Sequence, residues 1–176
     1  MEGIILALGI LLVITYLWIM SLFKKRDATL EALDTIDSYV LAQINLLLKW
    51  QGSAILLMEE EVKAALADIA NDLKVDYDKL NWKSVERHFA DMLHFEQLTQ
   101  SALKEMVQNS PLVQETELLR GVQTYQDLAE SIKDAYQYYN VVVSEFNTAV
   151  NAFPGVIIAY LLRVKSLPLY PIKLCP

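Results

Sequence analysis

Residues 138–162 read YYNVVVSEFNTAVNAFPGVIIAYLL, and in them an aromatic followed by asparagine recurs one heptad apart, at Tyr139-Asn140 and Phe146-Asn147, before Phe153-Pro154 ends the pattern. Followed outward, apolar side chains fall at Leu118, Val122, Tyr125, Ala129, Ile132, Tyr136, Tyr139, Val143, Phe146, Val150 and Phe153, in steps of four and three. A 3.5-residue period keeps one seam facing a partner along a long helix. It returns Tyr139 and Phe146 to one seam position and Asn140 and Asn147 to one flank beside it. Rings at Tyr125, Tyr136, Tyr139, Phe146 and Phe153 are too bulky for a two-stranded zipper and suit the wider core of a bundle. Pro154 ends the seam, because its ring clashes with the preceding turn and pushes Phe153 toward an extended conformation. The apolar segment from Val156 to Leu162 can then fold back as a lid on the bundle's end.

Upstream the pattern stays helical, with glycine and proline confined to a few junctions and no alternating strand-like segment. Apolar positions at Leu33, Ile36, Val40, Ile44 and Leu47 are followed by Ile55, Met58, Val62, Ala65, Ile69 and Leu73, with Gly52-Ser53 between the two sets as a kink or a break. Lys74 to Asp78 reads as a loop. Asn81 is an N-cap for a helix that turns Trp82, Val85, Phe89, Met92, Leu98, Ala102 and Met106 inward. Asn109-Ser110-Pro111 closes that helix and opens the last long one, since the first helical position needs no backbone donor. The expectation is an all-α chain: an antiparallel up-and-down bundle of three long helices plus a short C-terminal helix. A continuous first helix would place the tail far from the membrane, whereas a break at Gly52 would return it there.

At 54% hydrophobic the chain is too apolar for an ordinary soluble domain. Ile4 to Phe23 is an uncharged run of about 20 residues, the length that crosses the hydrocarbon of a bilayer. Glu2 precedes it and Lys24, Lys25 and Arg26 follow it, which is the wrong polarity for a cleaved signal and by the positive-inside rule marks the cytoplasmic flank. Trp18 and Tyr16 suit either the lipid interface or packing within the anchor. The chain thus divides into an external stub at 1–3, a transmembrane helix at 4–23, a cytoplasmic bundle at 24–163 and a proline-containing basic and apolar tail at 164–176, with the lipid bilayer as its first partner. Every acidic residue except Glu2 lies between Asp27 and Glu145, where acids outnumber bases more than two to one. Such a body repels phosphate, which argues against nucleic acid. The one cysteine, Cys175, can close no disulfide within the chain.

The run from Ile132 and Ala135 through Tyr139-Asn140, Val143, Phe146-Asn147, Val150 and Phe153-Pro154 to Ile158-Ala159 resembles the C-terminal signature of the bacterial LemA family. Ile36-Asp37, Val40, Asn45 and Leu46-Leu47 resemble a degraded form of that family's first-helix motif, without its paired arginines and with Leu48 where proline is usual. The resemblance implies a short external N-terminus, one anchor in the bacterial inner membrane and a cytoplasmic helical bundle. It carries no enzymatic reaction to transfer.

Asp91 and His94 stand at the i, i+3 spacing of one arm of a dimetal site in a bundle, but the position three before His88 is Val85, so the second arm is missing and no metal is expected. No nucleophile elbow, phosphate loop or zinc-protease helix occurs, so neither a cofactor nor catalysis is expected. Asn140 and Asn147 either recognise a partner's backbone or hydrogen-bond across the seam to fix register, the second being favoured. Asp37 is a candidate partner for a bundle arginine such as Arg120. Glu59-Glu60-Glu61 is a solvated face or meets a basic partner. Apolar residues in the tail, with Pro168, Pro171 and Pro176, dock on their own bundle or on a neighbour. The functional expectation is a non-enzymatic, membrane-anchored scaffold that self-associates as a homo-oligomer and organises other membrane proteins or the bilayer. Alternatives are an adaptor of a membrane-bound enzyme such as a protease, as family analogy implies, and a metal enzyme around Asp91 and His94.

Overall fold

A computed structural model describes residues 2–52, 60–74, 79, 81–109 and 115–171. Those residues form five helices and no strand: α1 (Glu2–Gly52), α2 (Glu60–Lys74), α3 (Trp82–Asn109), α4 (Glu115–Asn151) and α5 (Gly155–Leu162). Residues 164–171 continue as an extended tail.

α1 is a single 51-residue helix with two environments. Its first part is apolar and exposed, and it is the one helix among the described residues long and apolar enough by itself to cross a membrane. Its second part buries Leu33, Ile36, Val40, Ile44 and Leu47, one stripe at helical spacing. Against that stripe lies α4, whose pairing with α1 is the most extensive among the described residues. Trp50 meets Tyr125 and Gly121 at one end, and Lys25 meets Glu145 at the other. A Cβ on Gly121 would stand 2.6 Å from the Trp50 ring, so the missing side chain lets the indole lie flush on α4.

The expectation of one helix from Leu33 through Leu73 is corrected here. α1 is described as far as Gly52 and α2 from Glu60, and α2 contacts α1 as one straight helix could not, with Leu66, Ile69 and Leu73 buried. Three long helices therefore become four before the short one. Ile55, Met58, Glu59, Val75 to Asp78, Pro111, Cys175 and Pro176 lie outside the described residues, as do the side chains of Ala102, Met106 and Leu118. At the start of α3 the Asn81 carboxamide accepts the Lys83 N–H at 3.0 Å, capping a donor that the first turn leaves open. Val85, Phe89 and Met92 turn inward as expected. Trp82 does not: as the first residue of α3 it stands before the stripe begins and is exposed.

The seam of α4 is buried at Ile132, Tyr136, Tyr139, Val143, Phe146 and Val150, and half-buried toward the helix start at Val122, Tyr125 and Ala129. Phe153, expected as its last member, is 78% exposed. α4 ends at Asn151, two residues before it, so Phe153 falls in the turn and leaves the helical phase. Pro154 then occupies the N-cap of α5, and the Phe153-Pro154 peptide is cis. α5 leaves α4 at 94° and reaches α1, where Gly155 faces Trp18. It packs with one face only, burying Gly155, Ile158 and Ala159. Trp18 is thus half-buried in a packing contact.

Candidate functional site

The extended tail fixes where the signature residues act. Arg163, with φ 55°, closes α5 in the left-handed conformation and turns the chain back along α4. Asn147 then grips Leu167 on both sides of its backbone: Nδ2 donates to the Leu167 carbonyl at 2.8 Å, and Oδ1 accepts the Leu167 N–H at 2.8 Å. Asn140 does the same to Tyr170, at 3.0 and 2.8 Å. Between them the Tyr139 hydroxyl donates to the Pro168 carbonyl at 2.9 Å.

The heptad now has a physical reason. Seven residues of α-helix advance about 10.5 Å, and three residues of extended chain advance about 10 Å. Asn140 and Asn147 are therefore in register with every third residue of a strand laid along α4. A carboxamide is the side chain suited to this, because it presents one donor side and one acceptor side in one plane and matches a backbone residue's own C=O and N–H. The register-fixing reading of the two asparagines is replaced by backbone recognition, with the chain's own tail as the recognised segment.

Tyr170 carries the clasp into the core. Its ring stacks on Tyr136 with centroids 3.6 Å apart and meets Phe89 edge-on at 5.0 Å, while its hydroxyl donates to Glu96 Oε1 at 3.0 Å. Among the described residues the backbones of α3 and α4 do not come into contact, and this tail ring fills the space between them. Burial pushes the hydroxyls of Tyr136, Tyr139 and Tyr170 well above the ordinary tyrosine range, so they remain neutral hydrogen-bonding groups across physiological pH. Amides and neutral phenols of this kind hold a main chain in place rather than move protons.

The clasp is testable at single amides. Asn147→Leu removes both bonds to Leu167 and leaves two half-buried backbone groups unmet, a loss of about 2 kcal/mol. Hydrogen exchange at the Leu167 N–H should accelerate by an order of magnitude or more, whereas Asn147→Asp, which keeps the acceptor but loses the donor, should give a smaller acceleration.

Other sequence candidates fall elsewhere. Phe146 is fully buried one heptad from Tyr139. Lys25 pairs with Glu145 at 2.7 Å, and that hydrogen bond holds the Glu145 carboxyl below its usual range. Arg26 bonds Asp27 at 2.8 Å and lies over the Phe23 ring at 4.7 Å, while Lys24 is exposed. Asp37 is not paired with Arg120. Its Oδ1 stands 2.9 Å from His88 Nε2, with both side chains buried. Asp91 is half-buried and His94 is exposed. Burial and the nearby Asp72 raise the Asp91 pKa. Among the described residues no three His, Cys, Asp or Glu side chains gather as metal ligands.

One open groove adjoins the clasp. It has a volume of about 840 Å³ and runs between α4 and the C-terminal part of the apolar run of α1, lined by Leu17, Trp18, Val141, Ala149 and Ala152, with Leu169 of the tail. The Lys25 and Glu145 pair lies along it.

Neither the curated proteins nor the solved structures gave a match to the chain. The model of the LemA family matches residues 58–174, a span that contains the α4 seam, both asparagines of the clasp and the tail segment that they hold. The chain belongs to the LemA family.

Proposed function

We propose that the protein is a membrane-anchored scaffold, an antiparallel up-and-down bundle that assembles side by side with copies of itself in the plane of the bacterial inner membrane. The N-terminus is external and the bundle cytoplasmic on this reading, which Lys24, Lys25 and Arg26 after the apolar run support. The observation that carries the assembly is the groove at the anchor's base. It is open, mostly apolar in surface although Ser21, Ser144 and Thr148 also line it, and it follows α4 for about three turns from Val141 to the helix end, the shape that accepts another helix. Small residues at Ala149 and Ala152 on its floor permit close approach of a neighbouring helix, as in membrane helix pairs. The polar material of the signature, meanwhile, is engaged in holding the tail.

The full chain reconstituted in lipid nanodiscs or native membrane particles should show a mass of more than one copy. Cysteines replacing Leu17 and Val141 on different copies should cross-link. A monomer over a wide range of protein-to-lipid ratios would refute the reading, and a single dominant cross-link to another membrane protein would favour an adaptor role.

A further inference from the structure

α5 is built unlike the other helices. Its inner side, Gly155, Ile158 and Ala159, is buried, and a Cβ on Gly155 would stand 1.9 Å from the Ala149 carbonyl, so this corner closes only around glycine. Its outer side is apolar and bare: Tyr160 is 84% exposed, Leu161 73%, and Phe153 at the corner 78%. A contiguous apolar surface of this kind marks a contact with something other than water.

Three features say what covers it. The first is height. Gly155 faces Trp18, which lies about 7 Å inside the end of the apolar run at Phe23, five residues at 1.5 Å each. The second is direction. α4 lies along α1 and α5 leaves α4 at 94°, so where α1 crosses a bilayer α5 lies in its plane. The third is chemistry. α5 ends at exposed Arg163 and Lys165, beside Phe23 and Arg26, and no acidic residue follows Glu145. Apolar side chains on one side and cations at the rim are the pattern of a helix lying at the boundary between headgroups and acyl chains.

We propose that α5 and Phe153 form a second, in-plane membrane element, with Phe153, Tyr160 and Leu161 among the acyl chains and Arg163 and Lys165 at the lipid phosphates. The bundle is then held to the bilayer at two points and cannot swivel about its anchor. The inference rests on residues 4–23 spanning the membrane, and its test separates the two.

Full-length chains with Cys175 replaced by serine and one cysteine introduced, by Leu161→Cys, Tyr160→Cys, Leu8→Cys or Glu86→Cys, are labelled with an environment-sensitive fluorophore. They are reconstituted in vesicles of phosphatidylethanolamine and phosphatidylglycerol, then exposed to brominated lipid or to aqueous iodide. Brominated lipid should cut the emission at positions 161 and 160 about twofold, with iodide having little effect there, as expected for burial 5–10 Å into the interface. Position 8 reports the anchor and Glu86, exposed on α3, reports water. If position 8 responds to brominated lipid while position 161 responds only to iodide, α5 stands in water: the inference fails and the anchor reading survives. If position 161 is shielded from both quenchers and its emission follows the protein-to-lipid ratio, a second copy covers it and the inference fails. If position 8 itself is open to iodide, the anchor reading falls and takes the inference with it.

Discussion

His88→Leu should lower the unfolding free energy of the full-length protein in mild detergent by about 3–5 kcal/mol, and adding Asp37→Leu should recover most of that loss. The reason is an asymmetry in buried polar pairs. With both groups present, the 2.9 Å contact between His88 Nε2 and Asp37 Oδ1 offsets their removal from water. With His88 gone, a carboxylate that is nine-tenths buried between α1 and α3 loses that contact and keeps its desolvation cost. Two leucines restore an apolar contact in place of a polar one. Denaturant titrations of the two single variants and the double variant measure this directly, and additive losses in the double would mean that the two groups act independently.

Tyr139→Ala should cost a similar amount, about 3–5 kcal/mol, because the ring is fully buried and its removal leaves a cavity at the centre of the seam. Two further contacts go with it. The ring meets Phe89 of α3 edge-on at 5.3 Å, and the hydroxyl donates to the Pro168 carbonyl. Tyr139→Phe keeps the ring and loses only the hydroxyl, so it should cost about 1 kcal/mol. Hydrogen exchange separates the two roles. The alanine variant should loosen α3, α4 and the tail together, and the phenylalanine variant chiefly the tail at Leu167 and Tyr170. Equal stability of the two variants would show that the ring contributes little to the core.

The parts of this architecture that could be read in advance are those governed by a local period. Val143 and Phe146 are buried because steps of three and four place them on one face, and the same rule locates Ile36 and Ile44 on α1. Phe153 follows the same arithmetic, yet it is exposed, because the period holds only while the helix does and α4 stops at Asn151. The division between α1 and α2 was legible only as an open choice at Gly52-Ser53, because Leu47 and Ile55 stand eight residues apart, an interval that leaves both within one broad apolar stripe. Asp37 was read as the partner of a bundle arginine such as Arg120, and its contact is instead His88, which comes from a helix that arrives by tertiary packing. Asn140 and Asn147 stood out as a polar pair at a fixed interval. What they bind was not legible, because the match is between a helix rising 1.5 Å per residue and an extended chain rising about 3.3 Å, two geometries that no single periodicity joins.

Tyr170 meets Phe89 of α3 and Tyr136 of α4, yet it follows both helices in the chain. Until the tail docks, the space that its ring occupies is open, and the asparagine amides of the clasp face water with no strand to hold. Closure of this space therefore waits on the stretch that follows α5, and a chain interrupted after Leu162 would lose both asparagine contacts together with the Tyr170 ring that stacks on Tyr136.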